Sequence, residues 1–85
     1  MKITTVTGSK YNIDREYGIW RKNGGIPHRI DWMRAVPSEE RQRIASWRDL
    51  DEHSEDRLPR VGEHLYIGSR EAWWLSTEIV SIEND

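Results

Sequence analysis

Two adjacent tryptophans, Trp73 and Trp74, fall in a run from Ala72 to Ile82 whose aromatic and β-branched content reads as a strand. Successive side chains of a strand point to opposite faces, so the two indoles cannot enter the same core. The chain has 85 residues. That is one domain, burying about 60–65% of its unfolded surface, with little second layer to cover the other ring. Parity puts Trp73 with Leu75 and Ile79 on the apolar side, as core. Trp74 shares its phase with Ser76 and Glu78 and is expected to face outward. The apolar phase then slips to Val80 and Ile82, which predicts a β-bulge or a bend.

The rest of the chain supplies the partners of that strand. Lys2 to Thr7 is β-branched, Gly8-Ser9 has the form of a two-residue type II′ turn, and Tyr11 and Ile13 alternate with polar neighbours up to Asp14. A second turn over Asp14 to Gly18 leads to a strand ending at Asn23-Gly24-Gly25, so the first 25 residues read as a three-stranded meander. Pro27 to Val36 has room for a further strand. Ser38, followed by Glu39 and Glu40, has the form of a helix N-cap with acids in the first turn, which predicts one short helix near 38–48; Ser46 to Leu50 could instead be a strand. A charged loop is expected near 49–58. Val61, Leu65 and Ile67 then share one strand face, and Gly68 to Glu71 is a loop of hairpin length. These elements predict a mainly β fold, a small SH3-like barrel of five or six strands with one short helix in the middle.

Composition narrows the function classes. There is no cysteine, which rules out disulfides and thiolate metal sites and favours a reducing compartment. There is no Phe but there are five Trp, so indoles carry the aromatic share of the core. The start, Met-Lys-Ile-Thr-Thr, lacks the apolar stretch of a signal peptide, and no apolar run is long enough to span a bilayer, so no membrane association is expected. The net charge of −2 hides an asymmetry. Residues 1–48 hold ten Lys/Arg against five Asp/Glu, and residues 49–85 hold three against ten. The two halves could neutralise each other as neighbouring strands, or leave a dipolar surface that orients a charged partner. The acidic half weighs against nucleic acid.

Catalytic and metal chemistry find no foothold. His28, His53 and His64 lack metal-ligand spacing, and His64 beside Tyr66 reads as a surface residue. No nucleophile elbow or phosphate loop is present, so neither catalytic residues, metal nor cofactor are expected and the chain reads as a non-enzyme. The aromatic residues remain. Tyr11, Trp20 and Trp73 have core phases, whereas Trp32, Trp47, Tyr66 and Trp74 are either further packing in a Phe-free core or, with Arg70, a partner-binding patch.

Three segments carry a resemblance: Thr7-Gly8-Ser9-Lys10-Tyr11-Asn12-Ile13-Asp14, Pro59-Arg-Val-Gly62-Glu-His-Leu65-Tyr-Ile67, and Ser76-Thr77-Glu-Ile79-Val80-Ser-Ile82. Their order resembles small accessory proteins of bacteriophages that infect actinobacteria, over about half the chain. The resemblance implies a phage-encoded protein in the host cytoplasm and implies no activity. The expectation is a protein that binds a host or defence protein through a Trp-centred surface and inhibits or redirects it. The alternatives are a small barrel binding nucleic acid or a nucleotide, and a virion or assembly protein acting through homo-oligomers.

Overall fold

The computed structural model describes residues 1–43 and 49–84. Its strands are β1 (Lys2–Thr5), β2 (Lys10–Asp14), β3 (Ile19–Lys22), β4 (His28–Arg29), β5 (Trp32–Val36), β6 (His64–Gly68), β7 (Trp73–Leu75) and β8 (Ile79–Glu83). Among the described residues, two short helices, α1 (Ser38–Arg43) and α2 (Leu50–His53), lie between β5 and β6. The fold is mainly β, as the alternating patterns predict. The strands form two sheets that are not closed into one barrel: a five-stranded sheet in the order β4-β3-β2-β1-β8 and a three-stranded sheet in the order β5-β6-β7.

The first sheet is built from the predicted meander, with the chain's last strand added beside its first. β1 pairs antiparallel with β2 and, on its other edge, with β8, so that Lys2 lies opposite Glu83 and Ile3 opposite Ile82. The register shifts between Thr4 and Thr5, which face Ser81 and Ile79. Val80 is therefore the extra residue of a bulge, and this is the phase slip visible in the sequence. The predicted long strand from Ala72 to Ile82 is in fact two strands in different sheets. The chain turns the corner at residues 76–78, where Ser76 N–H donates to Leu65 O at 2.8 Å, Ile79 N–H donates to Glu63 O at 2.8 Å and Val6 N–H donates to Glu78 O at 2.7 Å. A second crossing joins β4 to β5, with Asp31 N–H donating to Gly68 O at 2.8 Å.

The β1–β2 turn differs from the two-residue reading. Gly8 N–H donates to Thr5 O and Thr5 N–H donates to Ser9 O, each at 2.9 Å. The loop is therefore Val6-Thr7-Gly8, with Gly8 at φ 84° in the left-handed bulge position rather than first in a type II′ pair. An added Cβ at Gly8 would meet nothing within 4 Å, so the cost of a side chain there is backbone strain alone. Gly8→Ala is expected to cost about 1–2 kcal/mol, seen as a lower urea midpoint with an unchanged slope.

The sheets enclose one core. Ile3, Tyr11, Ile13, Trp20 and Ile79 from the first sheet pack on Met33, Leu65 and Ile67 from the second. β6 is the central strand of its sheet and is buried along its whole length. Its odd residues face the main core, and its even residues face a second cluster of Val36, Leu50 and Tyr66, flanked by Trp32 and Leu75. Leu50 of α2 thus gives the small sheet a third layer over part of its outer face. Two expectations for this region are corrected. Val61 is exposed and precedes the strand, and the predicted surface residue His64 is only 9% exposed. The short helix expected near 38–48 is present as α1 over Ser38–Arg43, and residues 44–48 lie outside the described residues. Ser38 is not a cap: it lies in the first turn of α1, and its hydroxyl donates to Gly62 O. The segment expected as a charged loop contains α2, and Glu55 then pairs back on Ala35 along the edge of β5.

Candidate functional site

The tandem tryptophans sit on β7, the edge strand of the small sheet. Register fixes their directions: Trp74 lies opposite Ile67, on the core side, and Trp73 lies opposite Gly68, on the outer side with Tyr66 and Leu75. The two residues do occupy opposite faces, but it is Trp74 that points to the core side and Trp73 that points outward. Trp73 is 40% exposed and belongs to neither core cluster, so it is not the core residue expected. Trp74, at 39%, is equally exposed but is anchored, its indole N–H donating to the buried Tyr11 hydroxyl at 2.5 Å. Strand parity assigns one face to core and the other to solvent only where a single sheet is covered on one side. With three layers, Trp73 faces the partly covered outer side and Trp74 spans the gap between the sheets.

The outer side is an aromatic row. Trp32 and Tyr66 meet edge to face at 6.0 Å, and Tyr66 meets Trp73 the same way at 6.5 Å, in the geometry ring quadrupoles favour. Tyr66, expected as a partner-binding residue, is only 6% exposed and is the floor of this row. Burial first, then the nearby Asp51 carboxylate, pushes its hydroxyl above the usual tyrosine value. Arg34, opposite Tyr66, is held by Asp51 at 2.9 Å. Trp32 is half-buried at the sheet edge, and its indole nitrogen is buried without a hydrogen bond among the described residues. Arg70 is exposed in the β6–β7 turn, where its N–H donates to Asp31 at 3.3 Å. Trp47 lies outside the described residues. Trp32, Tyr66 and Trp73 are thus brought together, with Arg70 at one end, while Trp74 faces the other way.

Around Trp74 the structure assembles residues that the sequence reading did not group. Lys22 Nζ sits 4.2 Å from the centre of the Trp74 ring. Tyr11 contacts Trp20 at 6.2 Å, and Trp20 stacks on His28 at 4.6 Å. The available signal was strand parity, since Trp20 and Lys22 share a face of β3 and Tyr11 lies opposite Lys22.

Polar clusters elsewhere are structural. His64 Nδ1–H donates to Ser76 O at 3.0 Å, which leaves Nε2 facing Ser38 Oγ at 3.5 Å. The Ser38 hydroxyl also has the Gly62 carbonyl and, at 3.2 Å, the Glu78 carboxylate as acceptors, both closer than the histidine. No group of three or more His, Asp or Glu side chains among the described residues is placed to hold a metal ion.

Arg57 grips Glu63 through both guanidinium nitrogens and reaches Glu55 at 2.6 Å. The Arg57 bond, then the Arg60 backbone N–H, holds the Glu63 carboxyl below its usual 4.5 against the opposing effect of burial. The unfolded chain takes up this proton at a higher pH than the folded one. The stabilisation is therefore complete above about 4.5 and is lost as pH falls through the lowered folded value. Glu63→Gln is expected to melt below the parent at neutral pH, with the gap closing in acid; thermal melts of both from neutral pH downward check this.

Charge pairing between the halves is partial. Arg34–Asp51 crosses between them and His53 meets Glu40 at 2.7 Å, whereas Lys10, Arg21, Lys22 and Arg70 form no ion pair among the described residues. No helix among the described residues is long and apolar enough to cross a membrane. Comparisons with protein-family models, with curated proteins and with solved structures found no match to the chain.

Proposed function

We propose that the chain is a binding domain rather than an enzyme, and that β7 is the surface it offers to a protein partner. The observation that carries this is the pair of adjacent indoles, 40% and 39% exposed, on a strand at the edge of a sheet. Tryptophan is the residue most enriched among the few that dominate binding energy, and a small domain with five of them would otherwise bury them. Trp73 stands on a rigid platform of Tyr66 and Trp32, so little side-chain entropy is lost on contact. The mainly β, two-sheet architecture leaves β7 at a sheet edge, where docking through aromatic side chains is sterically open. Taken with the phage resemblance, the partner is a host or defence protein in the host cytoplasm, and the effect is steric: covering a functional surface inhibits or redirects it.

Capture from an actinobacterial host lysate tests the proposal, with proteins identified by mass spectrometry. The tagged parent should retain a protein that Trp73→Ala loses, with both proteins folded at the temperature of the capture. Equal capture by both would remove β7 from the interaction.

A further inference from the structure

The β7 surface has a charge as well as a shape. Residues 2–29, which form β1 to β4, carry six Lys/Arg and two Asp/Glu. Many of the described acids lie on α1, α2 and the 55–63 segment, where Glu40, Asp51, Glu55 and Glu63 are engaged by His53, Arg34 and Arg57; Asp31 pairs with Arg29, and Glu71, Glu78 and Glu83 lie in the β6–β7 turn, before β8 and on β8. Lys22 is different from those cations. It is half-buried, lies against the Trp74 ring and has no carboxylate partner among the described residues. Its ammonium is positioned by the ring quadrupole, so part of the entropy of forming an ion pair is already spent. Arg70, also without an ion pair, stands in the turn that leads into Trp73.

Resting on the docking reading above, we infer that the segment of the partner that occupies the Trp74–Lys22 face is acidic, placing a carboxylate on the Lys22 ammonium and apolar atoms on the open part of the Trp74 ring. The arrangement favours protein over nucleic acid. A single-strand binder lays successive bases on exposed rings along a basic groove. The open face of the five-stranded sheet offers Lys2, Thr4, Asn12, Asp14, Ile19 and Arg21, with no aromatic side chain among them. One face of the Trp74 ring is already taken by Lys22, and its N–H by Tyr11.

The test follows the Trp74 indole N–H in two-dimensional NMR while oligo-glutamate, oligo-lysine or a thymidine oligonucleotide is added. Oligo-glutamate should move that signal saturably, with binding weakened by salt, and oligo-lysine should not. Lys22→Glu, and in smaller measure Lys22→Gln, should weaken binding by about tenfold, the worth of one well-placed charge pair. Arg21→Glu makes the same charge change one residue away on the opposite face of β3 and should leave binding unchanged. An equal loss with Arg21→Glu, no shift with oligo-glutamate, or tighter binding of the oligonucleotide overturns the inference. So does a shift that grows with protein concentration alone, which would assign the face to a second copy. Lysate capture separates the two readings: if Trp73→Ala abolishes it and Lys22→Glu does not, docking stands and the acidic occupant falls. If neither variant changes it, docking through β7 falls as well.

Discussion

Trp74→Ala is expected to lower the stability of the domain by about 3 kcal/mol, and Trp73→Ala by about 1 or less. The two residues are equally exposed, so exposure does not predict the difference. Trp74 reaches from the small sheet to the large one, and its N–H ends on a hydroxyl buried in the main core. Truncation removes the bridging ring and leaves the Tyr11 hydroxyl, whose ionisation burial already disfavours, without its donor. Trp73 makes an edge-to-face contact with Tyr66, is 40% exposed and belongs to neither core cluster. Trp74→Phe keeps most of the packing and should recover all but about 1 kcal/mol. Urea titrations of the three variants measure this. The opposite ranking, Trp73→Ala the weaker, would mean that the register of β7 is one residue out.

Gly68→Ala is expected to be nearly as severe, at about 2–3 kcal/mol, with a fall in melting temperature of roughly 10–20 °C for a domain of this size. The reason is steric. A Cβ on Gly68 would lie 2.6 Å from Trp73 Cα and Cβ and 2.7 Å from Ala72 O. Two of those three atoms are backbone, so no rotamer change relieves the clash, and β7 must move off β6. Ser69 N–H donates to Ala72 O at 2.5 Å and its hydroxyl accepts from the N–H groups of Glu71 and Ala72, so the turn has little slack to absorb the shift. Backbone amide shifts confined to residues 66–75 would locate the damage. A parental melting temperature would show that the strands separate freely at this point.

How much of this was legible beforehand depended on range. The meander, the positive φ of Gly8 and the bulge at Val80 rest on local alternation and turn chemistry, and these were readable. The direction of the tryptophans was not, because it depends on how many layers cover β7. The apolar phase of Trp73, Leu75 and Ile79 looks continuous whether the strand stays in one sheet or changes sheet at Ser76. His64 misled for a related reason: a histidine between apolar neighbours reads as solvent-facing unless an acceptor such as the Ser76 carbonyl is known to lie behind it. Lys22 beside Trp74 brings together residues 52 positions apart, and no spacing rule within either strand announces it.

The pairing of the first strand with the last has a mechanical side. β1 and β8 run antiparallel, with Lys2 beside Glu83. A pull applied across residues 2 and 83 therefore does not shear the ladder as a whole. It loads the outermost rung alone, then the next, and the sheet opens like a zip. A protease that unravels its substrates from one end would meet weak resistance here, even though the same domain, with contacts closed across nearly its whole chain, should unfold cooperatively when heated.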